Sequence, residues 1–178
     1  MGQLSGARPS WIRRMGARLV SGLKTWPDAA GWLLSAGVGA ATLTALAIVG
    51  FSTGLYALHA ANLAGMPLRL LTVLVAPAIG EEAVFRGLLV PDRAEAARPL
   101  APLTLAILIF VLWHLVEAHT FLPAAAPLFD RPDFLICAGL LGTGCAWIRW
   151  RTGSIWPGVA LHWTMVTIWQ TWLGGFML

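Results

Sequence analysis

Residues 70–90 constrain this chain more than any other stretch. They form an apolar run long enough to cross a bilayer, yet they carry Glu81, Glu82 and Arg86. A charge at membrane depth costs at least ~2.5–3.5 kcal/mol on insertion scales. Three such residues in one segment need a reason other than packing. On an α-helix Glu82 and Arg86 are four residues apart, share a face and can pair. Glu81 is turned about 100° away and stays free to face something else. The pattern predicts one carboxylate held in an ion pair and a second left for chemistry. Pro77 is expected to kink the helix just before them.

The remainder of the sequence has the same character. Of the 178 residues 58% are hydrophobic and only 11% charged, with a mean hydropathy of +0.74. That excludes an ordinary soluble domain and points to a small polytopic membrane protein. The fold class expected is all-α: a transmembrane helix bundle of about five spans preceded by an amphipathic segment. Residues 1–28 hold Arg8, Arg13, Arg14, Arg18 and Lys24, with apolar residues between them at helical spacing. Such a segment suits an anionic membrane surface; a floppy charged leader is the alternative. A cleaved signal peptide is not expected. Residues 29–178 form the transmembrane domain, with spans at about 29–58, 68–90, 100–117, 134–150 and 154–173. Gly50 and Gly54 in the first span form a GxxxG spacing suited to a close helix contact. The polar connector 91–99 and a proline-containing loop at 118–133 separate the central spans.

The net charge of +4 comes almost wholly from arginine and reads as a topology signal, not as nucleic-acid binding. Nine basic residues fall in the N-terminal segment, in the 91–99 connector and at Arg149 and Arg151, against only Arg69 and Arg131 on the other side. This places the N-terminus in the cytoplasm and, with five spans, the C-terminus outside. Trp26, Trp32, Trp150, Trp156 and Trp172 fall near span ends as an aromatic belt. Trp113, Trp163 and Trp169 lie deeper, with core packing the favoured role and lining a polar cavity the other. Cys137 and Cys145 are eight apart, ~12 Å along a helix, too far for a disulfide within it.

Glu81, His114, Glu117 and His162 remain at membrane depth outside the Glu82–Arg86 pair. Two histidines on separate helices with an unpaired glutamate on a third point to a shared site. A carboxylate in a dry environment holds its proton more tightly than in water, which suits a general base. A carboxylate and an imidazole sharing one water suit amide hydrolysis. A zinc site competes with this reading, but His114-Leu-Val-Glu117-Ala-His119 is neither HExxH nor HxxEH. His114 and His119 are five apart, about 140° round a helix, and cannot face one ion. Neither metal nor cofactor is therefore expected. Gly50-Phe51-Ser52-Thr53-Gly54 matches G-x-S-x-G, but it lies in a helical run and not at the strand-to-helix turn a nucleophilic serine needs.

Taken together these residues resemble a known family. Glu81-Glu82-Ala-Val-Phe-Arg86 is similar to the EExxxR motif of the CPBP family, the type II CAAX prenyl endopeptidases and their bacterial relatives among glutamic intramembrane proteases. Phe110-Val-Leu-Trp-His114 resembles the family's FxxxH motif. The stretch from Arg151 to His162 resembles the segment before its last histidine. The resemblance covers about residues 68–175. It implies that Glu81 and His114 activate water, that Glu82 and Arg86 shape the site, and that His162 helps stabilise the oxyanion. The family has Asn or Asp four residues after its last histidine, where this chain has Val166. Trp169, seven residues after His162 and about 20° off its helical face, is the candidate for the missing donor, ahead of Gln170 and Thr164.

The expected activity is intramembrane endopeptidase cleavage of a membrane protein or peptide, in maturation or in processing of a C-terminal sorting tail. The expected location is the bacterial inner membrane, with the lipid bilayer and the substrate as partners and no nucleic acid. A non-catalytic scaffold or immunity protein of the same fold is the alternative, and Val166 is the residue that bears on it.

Overall fold

The computed structural model describes residues 11–61, 63 and 65–175. Every regular element among them is helical. The order is α1 (Trp11–Lys24), α2 (Ala29–Ser52), α3 (Met66–Val73) running directly into a π-helix (Leu74–Leu88), then α4 (Leu100–Thr120). A 3-10 turn (Pro123–Ala125), α5 (Ala126–Phe129), α6 (Pro132–Thr152) and α7 (Trp156–Trp172) complete it. Among the described residues two helices, α2 and α4, are long and apolar enough to cross a membrane. Leu33, Ile48, Leu105, Leu108 and Leu112 on them point outward and exposed. Large apolar side chains displayed in such number mark a surface made for lipid or partners and not for water.

The helix ends follow local chemistry. The Asp28 carboxylate accepts from the Gly31 N–H at 2.8 Å and caps α2. Prolines stand in the first turns of α3, α6 and α7, where a missing N–H costs nothing. Gly153 closes α6 with φ +70°, a conformation that favours glycine. The first span ends earlier than expected. Gly54 has φ +71° and lies beyond α2, so the Gly50–Gly54 spacing is not a helix contact. Instead the chain turns back, the Tyr56 N–H donates to the Gly50 carbonyl at 2.9 Å, and the Tyr56 ring fills the space that a Cβ on Gly50 would need. The small-residue contact between α2 and α6 is Gly144 against Thr42. Around it Leu46, Cys137, Leu141, Leu161 and Met165 join α2, α6 and α7 in one core. The segment 118–133, expected as a loop, contains the last turn of α4, the 3-10 turn and α5.

Of the N-terminal segment, residues 1–10 with Arg8 lie outside the described residues. α1 neither floats nor only coats a surface: it packs on the C-terminal end of the π-helix. Leu19 sits against Gly87, whose missing Cβ makes room for it. Arg18 donates to the Leu89 carbonyl at 3.2 Å and forks onto Glu95 at 2.6 and 2.8 Å. The Trp156 indole donates to the Leu23 carbonyl and the Trp150 indole to the Ala96 carbonyl, both at 2.9 Å. Thus α1, the connector after the π-helix and the α6–α7 turn meet at one end of the molecule. The outer face of α1 still shows Trp11 and Ile12, along with Arg13 and Arg14.

Candidate active site

The π-helix decides the geometry. Pro77 has no N–H, and its ring crowds the carbonyl four residues back. The turn widens there, where a simple kink was expected, and hydrogen bonds reach to i+5 over Leu74–Leu88. Each residue then turns the helix by less than the 100° of an α-helix. Neighbouring carboxylates come closer to one face, and this corrects the expectation that Glu81 points away from the surroundings of Glu82. Both glutamates face His162.

Glu82 and Arg86 pair as the spacing predicted, with Oε1 and Nη1 3.1 Å apart and almost no solvent exposure, 0% and 1%. No Arg86 Nη atom reaches hydrogen-bond geometry, so charge holds the pair. Phe110 supports it: the guanidinium lies over that ring, 4.1 Å from its centroid. Gly142 on α6 leaves the space that Arg86 and Phe110 fill. Glu82 has a second partner the sequence did not reveal. His162 Nδ1 donates to Glu82 Oε1 at 3.1 Å. Gly158, one turn earlier on α7, permits the approach, since a Cβ there would lie 3.0 Å from Glu82 Oε2.

His114 is buried on α4 and its Nδ1 is 2.9 Å from the Phe110 carbonyl. A carbonyl only accepts, so Nδ1 carries a proton, and in the neutral imidazole Nε2 is then bare. The FxxxH spacing therefore has a physical content. The residue four earlier on the helix fixes the imidazole tautomer with its backbone, and its ring carries Arg86.

Glu81, His114, Glu117 and His162 all line one half-open cavity of about 530 Å³ between the π-helix, α4, α5, α6 and α7, with Leu46 of α2 and Tyr56 completing its wall. Glu81 Oε2 is 3.7 Å from His162 Nε2, within ion-pair reach but beyond a hydrogen bond, and it is buried without a hydrogen-bond partner. Apart from these polar groups the walls are mostly apolar, with Phe85, Phe129, Phe134, Leu141 and Met165 among them. Such a cavity can hold an apolar segment of substrate, and a carboxylate and an imidazole are in place to share a water.

Trp169 and Val166 also line the cavity, and Trp169 Nε1 is buried with no hydrogen-bond partner. Gln170 lines it too, whereas Thr164 is exposed. Trp113 belongs to the cavity wall as well, and both tryptophans combine the two roles: Trp113 packs against Phe85 and Trp169 against Phe134 while their other sides line the cavity. Trp163 packs, and its indole donates to the Leu70 carbonyl at 2.9 Å. His119 lies outside the site and pairs with Asp130 at 2.9 Å on an exposed surface. Ser52 closes α2 by donating to the Val49 carbonyl. Cys137 and Cys145 are free and buried. Among the described residues no group of three or more His, Cys, Asp or Glu side chains is placed to hold a metal ion.

A family model described as "Type II CAAX prenyl endopeptidase Rce1-like" matches residues 63–168. That window takes in every ionisable residue of the cavity from Glu81 to His162 and stops one residue short of Trp169. No curated protein and no solved structure matches the chain.

Proposed function

The chain belongs to the Rce1-like family of type II CAAX prenyl endopeptidases, and from that premise we propose that it is a glutamic intramembrane endopeptidase. The observation that carries this reading is the convergence of Glu81, His114 and His162 on one cavity, beside a second glutamate that Arg86 and His162 share.

In the proposed reaction a water sits between the Glu81 carboxylate and the bare Nε2 of His114. Glu81 takes a proton from the water as the oxygen attacks the scissile carbonyl. The tetrahedral oxyanion then collapses, the C–N bond breaks, and Glu81 returns the proton to the departing amine. His162 gives its Nδ1–H to Glu82, so it offers a donor from Nε2 only as the imidazolium. Glu82 is the counter-charge for that form, and the imidazolium faces the developing negative charge. Trp169 Nε1 supplies a second donor in place of the amide absent at Val166. Glu82 and Arg86 shape the site without touching the reacting atoms.

The substrate is a membrane protein or peptide, with maturation or removal of a C-terminal sorting tail as the assigned role. The bundle has five spans in the bacterial inner membrane, and the end that gathers α1, Arg149 and the α6–α7 turn faces the cytoplasm. The cavity-forming region 68–175 is the catalytic core. The test is incubation of the purified, lipid-reconstituted protein with a library of membrane-spanning peptides and mass-spectrometric readout. New peptide termini that appear with wild type and not with Glu81→Gln support the reading. No cleavage across the library favours a scaffold of the same fold.

A further inference from the structure

The cavity holds one carboxylate that the proposed chemistry does not use. Glu117 stands three residues after His114 on α4, roughly 4.5 Å further along the helix axis, and lines the same cavity. Its side chain is half-buried, and it has no hydrogen-bond or ion-pair partner among the described residues. Its own carbonyl already accepts from the Phe121 and Leu122 N–H groups at 2.9 and 2.8 Å, so this last turn of α4 is fixed in place. Among the described residues no Lys or Arg side chain lines the cavity, and of its two histidines His162 is already held by Glu82 and His114 by the Phe110 carbonyl. Glu81 and Glu117 line the cavity, whereas Arg86 lies behind, under the Phe110 ring and paired with Glu82. A carboxylate partly withdrawn from water without a partner is unfavourable, and an incoming cation relieves that cost.

We propose that Glu117 is a specificity-determining residue that takes a cationic side chain, Lys or Arg, of the substrate within about three residues of the scissile bond, the span set by one helical turn and an extended peptide rise of ~3.3 Å per residue. This rests on the endopeptidase reading of the same cavity. An acidic subsite beside an otherwise apolar cavity distinguishes a membrane segment carrying one basic residue from a uniformly apolar one, because the apolar competitor leaves Glu117 unpaired.

The test uses fluorescent Ala/Leu membrane-spanning peptides with a single Lys walked through successive positions, each matched by a peptide with Met there. Binding is measured in nanodiscs to the Glu81→Gln protein, and cleavage by wild type is measured in parallel. At one or two adjacent positions the Lys peptide is expected to bind at least about tenfold tighter than its Met partner. Adding Glu117→Gln should abolish that difference while leaving Met-peptide affinity within about twofold. Glu117→Lys should transfer the preference to a peptide bearing Glu at the same position. Equal binding of Lys and Met peptides throughout overturns the inference, as does a preference that survives Glu117→Gln. A uniform fall in wild-type turnover on Glu117→Gln, with KM unchanged, also overturns it and makes Glu117 a proton carrier. If the charge preference appears but no peptide is ever cut, the endopeptidase reading falls and the cation subsite stands.

Discussion

His162 and Glu82 join α7 to the π-helix at one buried point, with Nδ1 and Oε1 3.1 Å apart. The carboxylate that receives this bond is also the partner of Arg86. One glutamate therefore sets the orientation of an imidazole and neutralises a buried guanidinium, and the neighbouring Glu81 is spared both tasks.

That junction depends on Gly158. Gly158→Val should push Glu82 aside and lower cleavage at least about tenfold, with an overpacking cost of roughly 1–3 kcal/mol. Gly158→Ala should do less of both. Parallel measurement of peptide cleavage and thermal unfolding checks this, and full activity of Gly158→Val would mean that Glu82 does not need its present position.

Glu82→Gln leaves Arg86 buried and unpaired. We expect a loss of about 3–5 kcal/mol, visible as a lower unfolding midpoint in detergent. Glu82→Gln with Arg86→Met removes both charges and should recover most of that stability but not the activity. A single Glu82→Gln variant as stable as wild type would contradict the pairing.

The sequence was most legible where spacing alone sets geometry. The Glu82–Arg86 pair follows from a four-residue interval, and Glu81, His114, Glu117 and His162 were singled out because ionisable groups are costly in an apolar run. All four do line one cavity. What stayed hidden depends on the path of the backbone. Pro77 signals a disturbed helix but does not distinguish a kink from a π-helix, and it is the wider turn that brings Glu81 and Glu82 to one histidine. The Gly50–Gly54 spacing misled because Gly54 lies past the helix end at positive φ. α1 read as a surface helix from its charge pattern. Its docking through Arg18 and Leu19 rests on partners about 70 residues away, which periodicity does not report. Gly158 and Gly142 had a signal only in being small.

Trp169 is expected to be a donor to the oxyanion. Trp169→Phe keeps most of the ring and should slow turnover about 10²-fold with little change in unfolding temperature. Val166→Asn in that background should restore part of the loss. A fully active Trp169→Phe variant would move the second donor elsewhere.

Activity should be independent of metal, because a carboxylate and an imidazole suffice to activate water. Cleavage rates with and without EDTA or phenanthroline should agree, and elemental analysis should find no stoichiometric metal. Inactivation by chelator with recovery on added zinc would instead make His114, His162 and Glu81 ligands.

Nine basic residues on one side against two on the other predict a cytoplasmic N-terminus and an external C-terminus. A C-terminal alkaline phosphatase fusion should be active and a green fluorescent protein fusion dark. The opposite pattern would mean that one of the five proposed spans does not cross.

The central claim is that Glu81 is the general base, and its direct measurement is the single-turnover cleavage rate of Glu81→Gln against wild type on a peptide the wild type cuts. Removal of a positioned general base predicts a rate lower by about 10²–10⁴-fold, with peptide binding and unfolding temperature unchanged. A Glu81→Gln rate close to wild type would contradict it.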